Sequence, residues 1–143
     1  DRKLGPMTYE FTVTTELPAE AKEIYKHWLC SEGHTAMTGA IAHITDSTGQ
    51  AYDAWDGYIS GENVELEQGY KIVQSWRTSH FSPDDADSII EIVLQANTAG
   101  TLLTLNHRNV PDEQTDYEKF GWENHYFTPM KRRFEWLQLK TTL

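Results

Sequence analysis

Apolar and polar residues alternate at the start of the chain. The stretch MTYEFTVTTEL puts Tyr9, Phe11 and Val13 on one side, the period of a half-buried strand. Pro18 suits the first position of a helix, where a missing N–H costs nothing. Ala21, Ile24, Tyr25 and Trp28 follow at helical spacing and predict a helix over 19–30. The next stretch, SEGHTAMTGAIAHITD, reads as irregular chain leading into a short strand over 40–45. QAYDAW and YISGENVEL then flank Asp56-Gly57, a pair suited to a two-residue type I′ turn, which needs positive φ twice. Gly61 inside the second of these strands predicts a bulge or the close approach of another backbone. Gly69 marks a further turn, and YKIVQSWRT, SIIEIVLQA and TLLTLNHRNV supply three more strands, with SPDDAD and NTAG between them.

From Pro111 the period changes. Trp122, Tyr126, Met130, Phe134 and Leu137 recur every three to four residues, the stripe of an amphipathic helix. Asp112, Glu113, Asp116 and Glu118 lie towards its start and Lys131, Arg132 and Arg133 further along, an order that complements the helix dipole. Gly121 predicts a break and Pro129 a kink. The layout is α+β: a curved antiparallel sheet, antiparallel because its connections are hairpin-length, covered on its apolar face by the long C-terminal helix. Strand parity places Ile72 with Trp76, and Val73 with Arg77 on the opposite face; Ile90, Ile92 and Leu94 align, as do Leu103, Leu105 and His107. Once the helix covers these faces, Trp76 and His107 join Trp122 and Tyr126 in an aromatic lining. The same set also suits a close-packed core that holds no ligand.

Composition narrows the function classes. The 143 residues predict a single domain over 7–143, and the leading DRKLGP, ahead of Met7, reads as a foreign or disordered lead. Twelve Lys and Arg against 22 Asp and Glu give a net charge of −10, which speaks against a nucleic-acid footprint and against docking on anionic membranes. No apolar run approaches the ~20 residues needed to cross a bilayer, and no signal-peptide pattern is present, so the expected setting is cytoplasmic. A single cysteine, Cys30, rules out an intramolecular disulfide and reads as a small apolar residue rather than a nucleophile. The GxSxG elbow, P-loop, HExxH and GxGxxG templates are absent from the sequence. The six histidines lack local metal-ligand spacing, so no metal, cofactor or catalytic residue is expected.

Four stretches go further. WDGYISGENVEL, KIVQSWR, GTLLTLNHRNVP and GWENHYFTPMKRRFEWL, in that order, resemble the C-terminal domain of the family of activators of the 90-kDa heat-shock chaperone ATPase. The resemblance runs from Phe11 to about Leu137. It implies the helix-grip fold of the START-like, birch-pollen-allergen-like group and a cavity between sheet and C-terminal helix. By that resemblance the chain is expected to be non-catalytic and to bind a small hydrophobic ligand, with Trp55, Trp76, His107, Trp122 and Tyr126 lining the cavity. Two rivals accompany this expectation. One is a regulator that binds a heat-shock chaperone in the stress response, through charged surface around the hairpins. The other is a cyclase- or hydrolase-type enzyme using His107 as acid or base.

Overall fold

The computed structural model describes residues 7–142, and the expectation for residues 1–6 lies outside them. Strand β1 (Thr8–Leu17) is followed by two short helices, α1 (Ala21–Trp28) and α2 (Ser31–Thr38). Then come β2 (Ala51–Ala54), β3 (Ile59–Glu67), β4 (Lys71–Thr78), β5 (Ser88–Asn97) and β6 (Gly100–Pro111). The six strands form one sheet in the order β1-β6-β5-β4-β3-β2, antiparallel throughout. Helical backbone then runs from Tyr117 to the α-helix α3 (Thr128–Thr142), which packs on the sheet in a helix-grip arrangement.

Strand parity determines the core. Ile72 and Trp76 of β4, Ile90, Ile92 and Leu94 of β5, and Leu103 and Leu105 of β6 are all buried on the side that faces Trp122, Met130 and Phe134. Asp56 and Gly57 have φ of 55° and 87°, and the Tyr58 N–H donates to the Trp55 carbonyl at 3.1 Å, the expected I′ geometry. Trp55 also has a positive φ of 53°, however, and the ladder closes at Ala54–Ile59, so the connection spans four residues rather than two. Gly61 is a close approach. A Cβ there would lie 1.9 Å from the Ser75 carbonyl oxygen, and the same carbonyl accepts the Tyr52 hydroxyl at 2.7 Å.

Four local expectations are corrected. Pro18 lies outside α1, whose first residue is Ala21. The Leu17–Ala19 connection is held against the β5–β6 turn, with the Thr101 hydroxyl donating to the Ala19 carbonyl at 2.7 Å. The stretch after Cys30 is helical rather than irregular, and half-buried Cys30 caps it, its Sγ accepting the Gly33 N–H at 3.2 Å. The strand expected over 40–45 is reduced to a single bridge between His43 and Asp53. A buried polar chain holds this segment instead. Trp28 Nε1–H donates to Gln74 Oε1 (3.1 Å), Gln74 Nε2 to Asn63 Oδ1 (2.8 Å), and Asn63 Nδ2 to the carbonyls of Thr45 (2.8 Å) and Ser47 (2.9 Å). These bonds satisfy the loop carbonyls that a strand partner would otherwise have taken.

The fourth correction concerns the C-terminal helix. No break occurs at Gly121; the backbone stays helical through both Gly121 and Pro129. It does so in π-helical turns over Tyr117–Gly121 and Glu123–Phe127, with Trp122 N–H bonded to the Tyr117 carbonyl and Thr128 N–H to the Glu123 carbonyl, each five residues back. Pro129 has no N–H to donate, and the wider turns lie directly ahead of it.

Candidate functional site

Those π-helical turns face the β2–β3 hairpin and β4 across a cavity of about 400 Å³. Trp55, Tyr58 and Ile59 come from the hairpin end, and Trp76 from β4. Tyr117, Phe120, Trp122 and Tyr126 project from the helical side. The rings form a continuous surface. Trp76 lies 5.5 Å from Trp122 and 5.3 Å from Tyr117 between ring centroids, and Trp122 lies 5.1 Å from Tyr126. Trp55 meets His125 edge-on at 5.4 Å. At the rim, Asp116, His125 and Phe120 are exposed. Asp116 adopts a left-handed φ of 75°, and its carbonyl receives the N–H groups of Phe120 and Gly121, which starts the helical segment.

Few polar groups converge on this space. Trp55 Nε1–H is buried with no hydrogen-bond partner. Burial pushes the Tyr117 phenol up to about 12 and raises Tyr126 further, so both remain neutral donors. Two larger depressions, of about 630 and 1000 Å³, have walls carrying residues such as Lys22, Glu23 and Lys26, or Glu20, Asn97 and Lys140. The smaller cavity is instead walled mainly by rings.

Four of the five expected lining residues, Trp55, Trp76, Trp122 and Tyr126, come together here. His107 does not line the cavity; it sits behind Trp76 and Trp122, 4.8 and 5.7 Å away between centroids. Both its nitrogens are engaged. An indole N–H can only donate, so the 3.1 Å contact from Trp122 Nε1 makes His107 Nδ1 the acceptor. Nε2–H then donates to Ser88 Oγ at 2.9 Å, and the Ser88 hydroxyl donates to the Trp76 carbonyl at 2.6 Å. Burial pushes the His107 pKa down to about 3. His34 is arranged in the same way. Its Nδ1–H donates to the Trp28 carbonyl and its Nε2 accepts the Tyr126 hydroxyl, both at 2.8 Å, and burial lowers its pKa to about 4. A serine beside a histidine resembles a nucleophile and its base, but Ser88 and His107 are both 0% exposed and the serine proton is directed at a carbonyl.

Sequence reasoning missed Tyr58, Asp116, Tyr117, Phe120 and His125. Tyr58 follows the Asp56-Gly57 turn directly, a usable signal. Tyr117 and Phe120 precede the 122/126/130/134 stripe, and π-helical turns bring them onto the cavity side, which a 3.6-residue period does not anticipate.

Comparison with known proteins places this architecture. The sequence profile described as Activator of Hsp90 ATPase homolog 1-like protein matches residues 18–135. The chain belongs to that family. Among its curated relatives, this activator-family chain is 25% identical over 127 residues to the human Activator of 90 kDa heat shock protein ATPase homolog 1. It is also 25% identical over 128 residues to mouse homolog 2. These matches cover 89% and 90% of the chain but only 37% and 38% of the relatives, so the chain spans well under half their length. In structure, it resembles an HSP90 activator from Plasmodium falciparum, with a TM-score of 0.75 at 20% identity over 86% of this chain and 94% of that one. It also resembles CalU16 from Micromonospora echinospora, with a TM-score of 0.72 at 18% identity over 98% and 88%. The structural likenesses establish the shared fold. Among the described residues, no helix is long and apolar enough to cross a membrane, and no group of three His, Cys, Asp or Glu residues is placed to hold a metal.

Proposed function

We propose that this activator-family domain is a non-catalytic carrier or sensor that holds a small, ring-bearing apolar molecule in the aromatic cavity. The observation that carries this reading is a space of about 400 Å³ walled by Trp55, Trp76, Trp122 and Tyr126, with an unpaired indole N–H as an orienting donor. The committed nitrogens of His34 and His107 speak against the acid–base role expected of His107, since neither imidazole has a lone pair or proton to offer a substrate. The test is fluorescence titration with N-phenyl-1-naphthylamine, an uncharged aromatic probe. Saturable one-site binding is expected, weakened about tenfold in Trp76→Ala because one aromatic wall and its dispersion contacts are removed. Unchanged affinity in a folded Trp76→Ala variant would move the site elsewhere.

Family membership favours a second reading, in which the domain docks on a heat-shock chaperone of the 90-kDa class, with a cytoplasmic setting and a role in the stress response. It is supported by the names of the human and Plasmodium falciparum relatives. Measuring chaperone binding and ATPase rate with and without this chain tests it directly. Absence of binding at micromolar concentrations would remove it.

A further inference from the structure

We infer that the cavity selects a hydrophobic cation, a quaternary-ammonium or comparable onium group carried on an apolar or aromatic body. The inference rests on the cavity being a ligand site and specifies the charge of its occupant. Six aromatic side chains, Trp55, Tyr58, Trp76, Tyr117, Trp122 and Tyr126, form its walls, and Phe120 stands exposed at its rim. Ring faces carry negative quadrupole potential, and several around one space form the cage that binds a poorly hydrated cation well. The charges at the rim agree in sign. Asp116 lines the cavity and is exposed, no ion pair neutralises it among the described residues, and no described lysine or arginine lines the space. The remaining polar lining is Thr115, the His125 imidazole, the tyrosine hydroxyls and the Trp55 indole N–H, a neutral donor. An anionic ligand would therefore meet the Asp116 carboxylate with only neutral donors such as the Trp55 indole N–H, and no described lysine or arginine, to receive it. The chain's net charge of −10 adds a long-range field of the same sign.

The experiment compares three probes of similar size with different charges, by tryptophan fluorescence at pH 8. These are benzyltrimethylammonium, its uncharged carbon isostere neopentylbenzene, and the anion benzenesulfonate. The cation is expected to bind about tenfold more tightly than the isostere, although it costs more to desolvate, and the preference should shrink with added salt. Asp116→Asn removes the charge while keeping a residue that tolerates left-handed φ, and should cut that preference about threefold. Phe120→Leu, at an exposed rim position, keeps apolar bulk but loses a ring face. It should weaken the cation about threefold and leave neopentylbenzene unchanged. Equal or tighter binding of neopentylbenzene overturns the charge preference but leaves the cavity as an apolar site. Tightest binding of benzenesulfonate, or a cation preference that survives both substitutions, also overturns it. Failure of all three probes to bind at millimolar concentration removes the cavity reading itself.

Discussion

Acidification should destabilise this domain, with His107 and His34 responsible for a large share of the loss. The two imidazoles are 0% and 1% exposed, and burial pushes their pKa values from 6.5 to about 3 and about 4. Unfolding returns both to about 6.5. Each folded pKa is lowered, so below pH 6.5 the unfolded chain binds protons that the folded chain refuses. Stability is therefore complete above pH 6.5 and falls with pH through the window down to about 4 for His34 and about 3 for His107. At pH 5, about 1.5 below the free-imidazole pKa, each histidine forfeits about 2 kcal/mol at about 1.4 kcal/mol per pH unit. About 4 kcal/mol together is a substantial part of the roughly 5–15 kcal/mol that holds a domain folded. The assay is urea unfolding of the wild type and His107→Gln at pH 7.5 and pH 5. Glutamine has an acceptor for Trp122 and a donor for Ser88 but does not titrate. Any general loss of packing cancels when each protein is compared with itself across pH. The wild type should lose about 2 kcal/mol more than the variant between the two pH values. Equal pH slopes would refute the argument that a buried neutral His107 is linked to folding.

Three further outcomes follow from packing and backbone geometry. Phe134, 2% exposed and edge-on to His27 at 5.0 Å, should cost about 3–5 kcal/mol when cut to alanine, and a loss below about 1 kcal/mol by urea unfolding would show that its pocket is not core. Gly57→Val should cost about 1–2 kcal/mol through left-handed strain alone, because a Cβ there meets nothing within 4 Å. Gly57→Asn should recover much of that loss, and equal costs for the two variants would contradict a purely backbone origin. Gly61→Ala should cost more than about 2 kcal/mol in thermal unfolding, since its methyl group would collide with the Ser75 backbone; a neutral result would mean that the two strands can separate at no cost.

Periodicity alone determined much of this protein. Strand-like segments and turn residues located all six strands, and alternation of period two gave the inward residues of β4, β5 and β6, because a half-buried sheet sorts side chains by parity wherever one face is dry. Asp56-Gly57 fixed the hairpin, since few residues adopt positive φ twice in succession, and the 122/126/130/134 stripe identified the helix face that covers the sheet. Tertiary structure decided where that logic had no purchase. The helix α2 buries His34 and Thr38 beside Met37, a polar face that shows no apolar period and is held by contacts with Trp28 and Tyr126. The strand expected over 40–45 keeps a single bridge between His43 and Asp53, and the Asn63 side chain takes the Thr45 and Ser47 carbonyls beyond it. At the site, parity correctly turned His107 inward but could not show that Trp76 and Trp122 would stand in front of it. Nor could it show that π-helical turns would carry Tyr117 and Phe120 to the cavity. Which ring lines the space and which lies behind it depends on helix register against the sheet, and that register is set by contacts far apart in sequence.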